Sequence, residues 1–105
     1  MDGQFERISA LWMEWSVRKF VLANAASSLT KAKGEIKELL FCLSFGTEKE
    51  TLFEYVDVIM CVLHSAKKAG FTIEQITAAF KEKSEINFNR EWVLDKRGNT
   101  YSHKK

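Results

Sequence analysis

The sequence predicts an all-α fold of four helices followed by a short C-terminal tail. Three observations carry this expectation. Apolar residues recur at helical spacing through four successive stretches. Proline is absent and only five glycines occur, so little interrupts a helix. Capping signals stand between the stretches. The 105 residues suffice for one domain, and 46% hydrophobic and 12% aromatic content gives that domain a core. We therefore read residues 1–105 as a single domain. A domain this small has limited burial, which favours association with a second copy.

The first helix is expected from Gln4 to Ala23, with Phe5, Ile8, Leu11, Trp12, Trp15, Phe20 and Val21 as a broad apolar stripe. The run Asn24 to Ser28 reads as a connection, with Ser27, Ser28 and Thr30 as candidate N-caps of a second helix. That helix continues to Phe45 on a stripe of Ile36, Leu39, Leu40 and Leu43. Gly46 fits the position that ends it. Thr47 with Glu50 has the spacing of a capping box for the third helix. The third helix holds Leu52, Phe53, Val56, Ile59, Met60 and Leu63 and ends near Gly70. Thr72 with Gln75 repeats the spacing before a fourth helix containing Ile73, Ile76, Ala79, Phe80 and Ile86. Short links between the last three helices imply antiparallel neighbours. In the tail, Asp95 to Asn99 reads as a turn leading into an extended end.

The net charge of +2 does not argue for nucleic acid. Residues 1–60 carry seven Lys/Arg against nine Asp/Glu, and residues 61–105 carry nine against five. An acidic half and a basic half could together hold cations and phosphates, although solvated helix faces explain such charges equally. Cys42 and Cys61 sit in apolar runs without a C-x-x-C partner, as reduced thiols of a cytoplasmic protein do. No apolar run has transmembrane length. Met1-Asp2-Gly3-Gln4 lacks the basic start of a signal peptide.

The candidate chemistry lies in four carboxylates. Glu35 and Glu38 are three apart on the second helix, and Glu54 and Asp57 are three apart on the third. Residues at i and i+3 share a helix face, so each pair projects as a fork. Antiparallel neighbours let the forks meet. Four acids converging would repel, and a hard divalent cation resolves the repulsion, since Mg²⁺ takes oxygen ligands at roughly 2.0–2.1 Å and also accepts phosphate oxygens. Surface acids on amphipathic helices are the plainer account. Continuing the two faces reaches Cys42, Cys61 and His64, which leaves a Cys/His/carboxylate zinc site as an alternative. A Cys–His nucleophile pair is weaker still, because no third group orients it.

The order Glu35-x-x-Glu38, fifteen residues, Glu54-x-x-Asp57 resembles the all-α nucleoside triphosphate pyrophosphohydrolases of the MazG type. The resemblance is closest to the small MazG-like dATP/dGTP diphosphohydrolases frequent in phages and prophages. It extends to Glu6-Arg7-Ile8 with Trp12 and Trp15, to Ala66-Lys67-Lys68-Ala69-Gly70-Phe71, to Lys83-x-x-x-Asn87-x-x-Arg90-x-Trp92, and to the stretch Gly98 to His103. One position departs. The family pattern is E-E-x-x-E, and Gly34 stands where its first acid would be. This puts a second metal site, or the activation of water, in doubt. Glu50, one turn before Glu54, could compensate but also fits a capping role.

The resemblance implies a four-helix MazG-like bundle. It also implies a Mg²⁺-dependent enzyme, with Mn²⁺ as a possible substitute, that cleaves a (deoxy)nucleoside triphosphate between the α and β phosphates. Purine dNTPs are the expected substrates, and a (d)NMP and pyrophosphate the products. Glu35, Glu38, Glu54 and Asp57 would hold the metal, and Glu38 would act on the water. Lys83, Asn87 and Arg90, at i, i+4 and i+7, would bind substrate from one face of the fourth helix. Trp15 is the preferred stacking residue, because Glu14 and Ser16 beside it suggest a helix edge near solvent. Stacking contributes roughly 1–3 kcal/mol per base. Trp12 and Trp92 are the other stacking candidates, with core packing the better account of Trp12. The expected assembly is a dimer or tetramer, in the cytoplasm of a bacterium or phage-infected host, without membrane or nucleic-acid partners. Two other functions compete. One is a catalytically impaired nucleotide-sensing or protein-interaction bundle. The other is a small nucleic-acid-binding protein using its basic second half.

Overall fold

The computed structural model describes residues 3–105; Met1 and Asp2, part of the stretch read for a leader, lie outside the described residues. Four helices and a hairpin follow in order: α1 Gln4–Lys19, α2 Ala25–Phe45, α3 Glu48–Lys68, α4 Ile73–Phe88, β1 Trp92–Asp95 and β2 Thr100–His103. The chain divides into two compact units, Met1–Glu74 and Gln75–Lys105.

In the first unit α3 packs against both α1 and α2. Hydrogen bonds fix α2 and α3 as antiparallel neighbours from both ends. Thr51 Oγ1 near the start of α3 donates to the Cys42 carbonyl near the end of α2 at 3.1 Å. Ser65 Oγ near the end of α3 donates to the Ala25 carbonyl at the start of α2 at 2.7 Å. In that register Glu38 comes opposite Glu54, and Glu35 opposite Asp57. The α1 helix is held to α3 by the Trp12 indole, whose Nε1–H donates to the Met60 carbonyl at 2.9 Å. The core is narrow. Met13, Ala32, Leu39 and Leu63 are buried, but so are Ser9, Ser16, Ser28, His64 and Ser65. Small hydroxyl side chains let the helices approach closely, and Ser16 satisfies its own hydroxyl on the Met13 carbonyl.

The helix ends differ from expectation in three places. The first helix stops at Lys19 rather than Ala23: Phe20 leaves helical geometry at φ −102°, ψ 63°. Its ring lies edge-on to Trp12, Trp15 and His64 instead of continuing the stripe. The second helix starts at Ala25, earlier than any serine cap allows. Asn24 is the cap: its side chain accepts from Ser27 N, and Ser27 Oγ accepts from Asn24 N, a reciprocal pair. Gly46 does end α2, but in extended geometry rather than a left-handed turn. Its lack of a side chain serves close approach, since a Cβ there would come within 3.0 Å of Cys42.

Two ends match. Thr47 and Glu50 form the capping box of α3. Gly70, at φ +100°, closes the same helix: Gly70 N donates to the Lys67 carbonyl and Phe71 N to the Ala66 carbonyl. This is the Schellman arrangement that favours glycine.

The second unit contains most of α4 and the hairpin. The expected turn with an extended end proves to be an antiparallel pair, Trp92 opposite His103 through Asp95 opposite Thr100. The Asp95 carboxylate accepts from Arg97 N at 3.1 Å, and Asn99 takes the left-handed conformation at φ 53°. Both are usual turn roles for these residues.

Candidate active site

The antiparallel register of α2 and α3 brings three carboxylates together. Glu35, Glu38 and Glu54 each offer an oxygen within 4.8 Å of the others. Asp57 stands outside this tight group but lines the same cavity as Glu35. Two features show how the protein accommodates the charge. Lys31, one turn before Glu35, forms an ion pair with it at 3.2 Å. The hydrogen bond to Glu35, and then its charge, hold the Lys31 ammonium above the ordinary lysine value. Glu54 has no such help. Its Oε2 is closed to solvent and has no hydrogen-bond partner. Burial, then the charge of Glu38, then a hydrogen bond shared with Glu35 and the charges of Glu35 and Asp57, push Glu54 above the usual carboxylate range.

A buried, unpaired carboxylate oxygen calls for a proton or a cation. The donor set here is hard oxygen only, converging from two helices, and so fits Mg²⁺, Mn²⁺ or a similar divalent ion. Among the described residues no other group of acids, cysteines and histidines converges in this way. The alternative zinc site through Cys42, Cys61 and His64 therefore does not assemble. The thiols do not suit a nucleophile either: burial and nearby carboxylates push both Cys42 and Cys61 up. Glu50 does not replace the acid missing at Gly34, because its carboxylate accepts from Thr47 N in the helix cap. That bond lowers its pKa.

A cavity of about 530 Å³ opens beside the acids. Lys31, Glu35 and Asp57 line it together with Trp12, Phe20 and His64. Ser27, Ser28 and Cys61 are also in its wall. One set of groups suits a metal and phosphates; the other is flat and aromatic. The volume lies in the range of small-ligand sites. Trp15 is not in this wall. It is 46% exposed and lines a neighbouring apolar groove with Phe5, Ile8, Leu11, Val56 and Ile59. Trp12 lines both, so the tryptophan of the cavity is the one for which the sequence favours core packing.

Lys83 and Asn87 lie on α4 in the second unit. Arg90 does not continue their helical face, because α4 ends at Phe88 and Arg90 sits in the following turn, its N–H donating to the Asn87 carbonyl. Reading the sequence missed Lys31, Phe20 and His64 as cavity residues and ranked Trp12 below Trp15. Lys31 alone had a usable signal, its place four residues before Glu35 on the same helix face.

The comparisons agree with this geometry. The chain has the fold of a cyanophage S-2L MazG-like pyrophosphohydrolase, solved bound to dGDP and three catalytic Mn²⁺ ions per active site. The TM-score is 0.72 at 22% identity, over 94% of this chain and 95% of that one. No curated protein matches the chain in sequence. The family model for dATP/dGTP pyrophosphohydrolase matches residues 8–105, the stretch that contains all four helices but the first turn of α1, all four acids and the hairpin, and the chain is accordingly a nucleotide pyrophosphohydrolase belonging to the dATP/dGTP pyrophosphohydrolase family.

Proposed function

We propose that this protein hydrolyses a purine deoxynucleoside triphosphate between its α and β phosphates, in the cavity beside the acid cluster, with Mg²⁺ or Mn²⁺ as the metal. The observation that carries this reading is the composition of one cavity wall, in which Glu35, Asp57 and Lys31 stand with Trp12, Phe20 and His64. A metal with the phosphates it would hold fits the first three and a base the second three.

Glu35, Glu38, Glu54 and Asp57 would hold the metal. When bound, Mg²⁺ neutralises phosphate charge and makes a water more acidic. The chain's own groups do the rest. Lys31, paired with Glu35 but with an exposed ammonium, would bind a phosphate oxygen. Glu38 is the exposed member of the triad and would accept a proton from the attacking water. Water adds across the α–β anhydride, and the products are a nucleoside monophosphate and pyrophosphate. Trp12 offers a ring face for the base, its indole N–H already committed to Met60. Roles for Trp15, Lys83, Asn87 and Arg90 in substrate binding rest on the sequence pattern and are tested by substitution to alanine, each expected to raise KM.

The protein acts as a homo-oligomer. Phe5, Ile8 and Leu11 on α1 and Leu52 and Phe53 on α3 are large apolar side chains left more than half exposed, and a second copy would cover them. No helix among the described residues is long and apolar enough to cross a membrane.

The test is release of pyrophosphate from a dNTP panel with Mg²⁺ or Mn²⁺. Glu38→Gln and Asp57→Asn should abolish it. No turnover of any nucleotide would overturn the reading. Gly34 favours one second reading, a nucleotide sensor without turnover. That reading predicts thermal stabilisation by dATP or dGTP with no product.

A further inference from the structure

Among the described residues, Glu35 is the one acid of the converging triad paired with a base. Lys31 Nζ lies 3.2 Å from Glu35 Oε1, four residues away on the same face of α2. The two ends of the pair sit in different surroundings. The Glu35 side chain is 15% exposed and the Lys31 side chain 71%. The ammonium therefore reaches the carboxylate from the solvent side of the cavity that both residues line. An exposed pair at this spacing adds little to folding. Its weight lies in where it stands, on an oxygen donor of the proposed metal site.

We propose that Lys31 is a resident counter-cation of the metal site: it opposes entry of a free divalent ion at Glu35 and favours an ion that arrives with a phosphate anion to take up the ammonium. The inference rests on the proposed function, because it assumes a divalent ion on Glu35 and a nucleotide in the cavity. It adds an order of preference: a bare cation is discouraged and a cation accompanied by a polyphosphate is welcomed.

The sign of each effect follows from charge. An ion bound to Glu35 Oε1 at roughly 2.1 Å would stand no more than about 5 Å from the ammonium, which lies 3.2 Å from that oxygen. In water, a double charge at that distance from a single charge of the same sign loses about fifteenfold in affinity without salt and about fivefold at physiological salt. A polyphosphate reverses the balance. It offers the ammonium new anionic oxygens, and the lysine stem is flexible enough to turn to them. One side chain thus weakens the binding of the ion alone and strengthens that of the ion with its anion, which couples the two ligands.

The experiment compares the wild type with Lys31→Met and Lys31→Arg at neutral pH and at low and physiological salt. Binding of Mn²⁺ alone is read by electron paramagnetic resonance of the free ion. Binding of Mn²⁺ with the α,β-methylene analogue of dATP, which cannot be cleaved at that bond, is read by tryptophan fluorescence. Methionine keeps a long unbranched side chain and good helix propensity while removing the charge. Lys31→Met should bind free Mn²⁺ about fivefold more tightly than the wild type at physiological salt, with a wider gap at low salt. It should bind the Mn²⁺–analogue complex roughly threefold more weakly. Lys31→Arg, which keeps the charge, should follow the wild type in both titrations. Unchanged or weaker binding of free Mn²⁺ by Lys31→Met overturns the inference, the weaker result making the lysine a support of Glu35 rather than a competitor. Tighter binding of the free ion without loss of the analogue complex overturns it as well. In each of these cases Mn²⁺ binding and pyrophosphate release by the wild type leave the proposed function standing. A wild type that binds neither Mn²⁺ nor the complex overturns both. Should Lys31→Met fail to fold by circular dichroism, Lys31→Gln takes its place under the same criteria.

Discussion

Glu54 offers a test in which one substitution has effects of opposite sign with and without metal. Its Oε2 is buried and unpartnered, and burial with the neighbouring acids raises its pKa. In the metal-free protein the carboxylate therefore opposes folding, and Glu54→Gln should leave the Tm unchanged or raise it. With metal the same carboxylate is a ligand. A cation at about 100 times its Kd stabilises the folded state by about 2.7 kcal/mol. Unfolding entropy of about 2.1 cal/mol/K per residue, over 105 residues, amounts to about 0.22 kcal/mol/K. The wild type should thus gain about 12 °C in Tm at that concentration. A variant that binds 100-fold more weakly meets the cation only at its Kd, where the stabilisation is about 0.4 kcal/mol, or about 2 °C. The assay is differential scanning fluorimetry with Mn²⁺ and Mg²⁺ titrations at fixed protein concentration. A wild-type Tm that ignores both metals into the millimolar range would refute the reasoning. So would a Glu54→Gln protein that shifts like the wild type.

Gly34→Glu restores the acid of the family pattern into open space, since a Cβ there meets nothing within 4 Å. Replacing an exposed mid-helix glycine should add roughly 0.5–1 kcal/mol of stability, and pyrophosphate release should rise; stability gained without a change in rate would show that the missing acid does not limit turnover. Burial, then the charge of Lys68, hold the folded His64 below the ordinary histidine value of about 6.5. The unfolded chain binds the proton first as pH falls, so stability from this residue is intact above about 6.5 and lost progressively below it; urea titrations at several pH values should show a shallower acid slope in His64→Phe. Ser65→Ala removes the hydrogen bond that ties the end of α3 to the Ala25 carbonyl. It should cost about 1–3 kcal/mol by denaturant midpoint, and a neutral result would mean the clamp at that end is dispensable.

The parts of the structure legible in the sequence are those written in local spacing. Thr47 and Glu50 cap α3 as their separation predicts, because a capping box involves only neighbouring residues. The two carboxylate pairs lie on α2 and α3 as expected, and Glu35, Glu38 and Glu54 meet. Asp57 sits apart from that triad, since which of four facing acids converge depends on the exact helix register, and Thr51 and Ser65 set that register through contacts with distant carbonyls. The start of α2 was misread because Asn24 competes with three hydroxyl residues nearby, any of which could cap. The place of Arg90 was misread because helical spacing was carried past Phe88, where the helix stops. Trp12 and Trp15 could not be told apart by pattern: both belong to one stripe, and only the packing of α1 on α3 decides which one reaches the cavity.

The serine-rich interior of the first unit has a consequence for the protein's lifetime. Ser9, Ser16, Ser28 and Ser65 occupy buried positions where a self-sufficient bundle would carry leucine or isoleucine. Ser28 also lines the cavity of about 530 Å³, a space that packed side chains do not fill. A bound base therefore supplies part of the interior that the chain itself does not provide. Any ligand that binds only the folded form shifts the folding equilibrium toward it. Abundance of this enzyme should then follow the nucleotide pool: protected from proteolysis when substrate is plentiful, and turned over faster when the pool is drained.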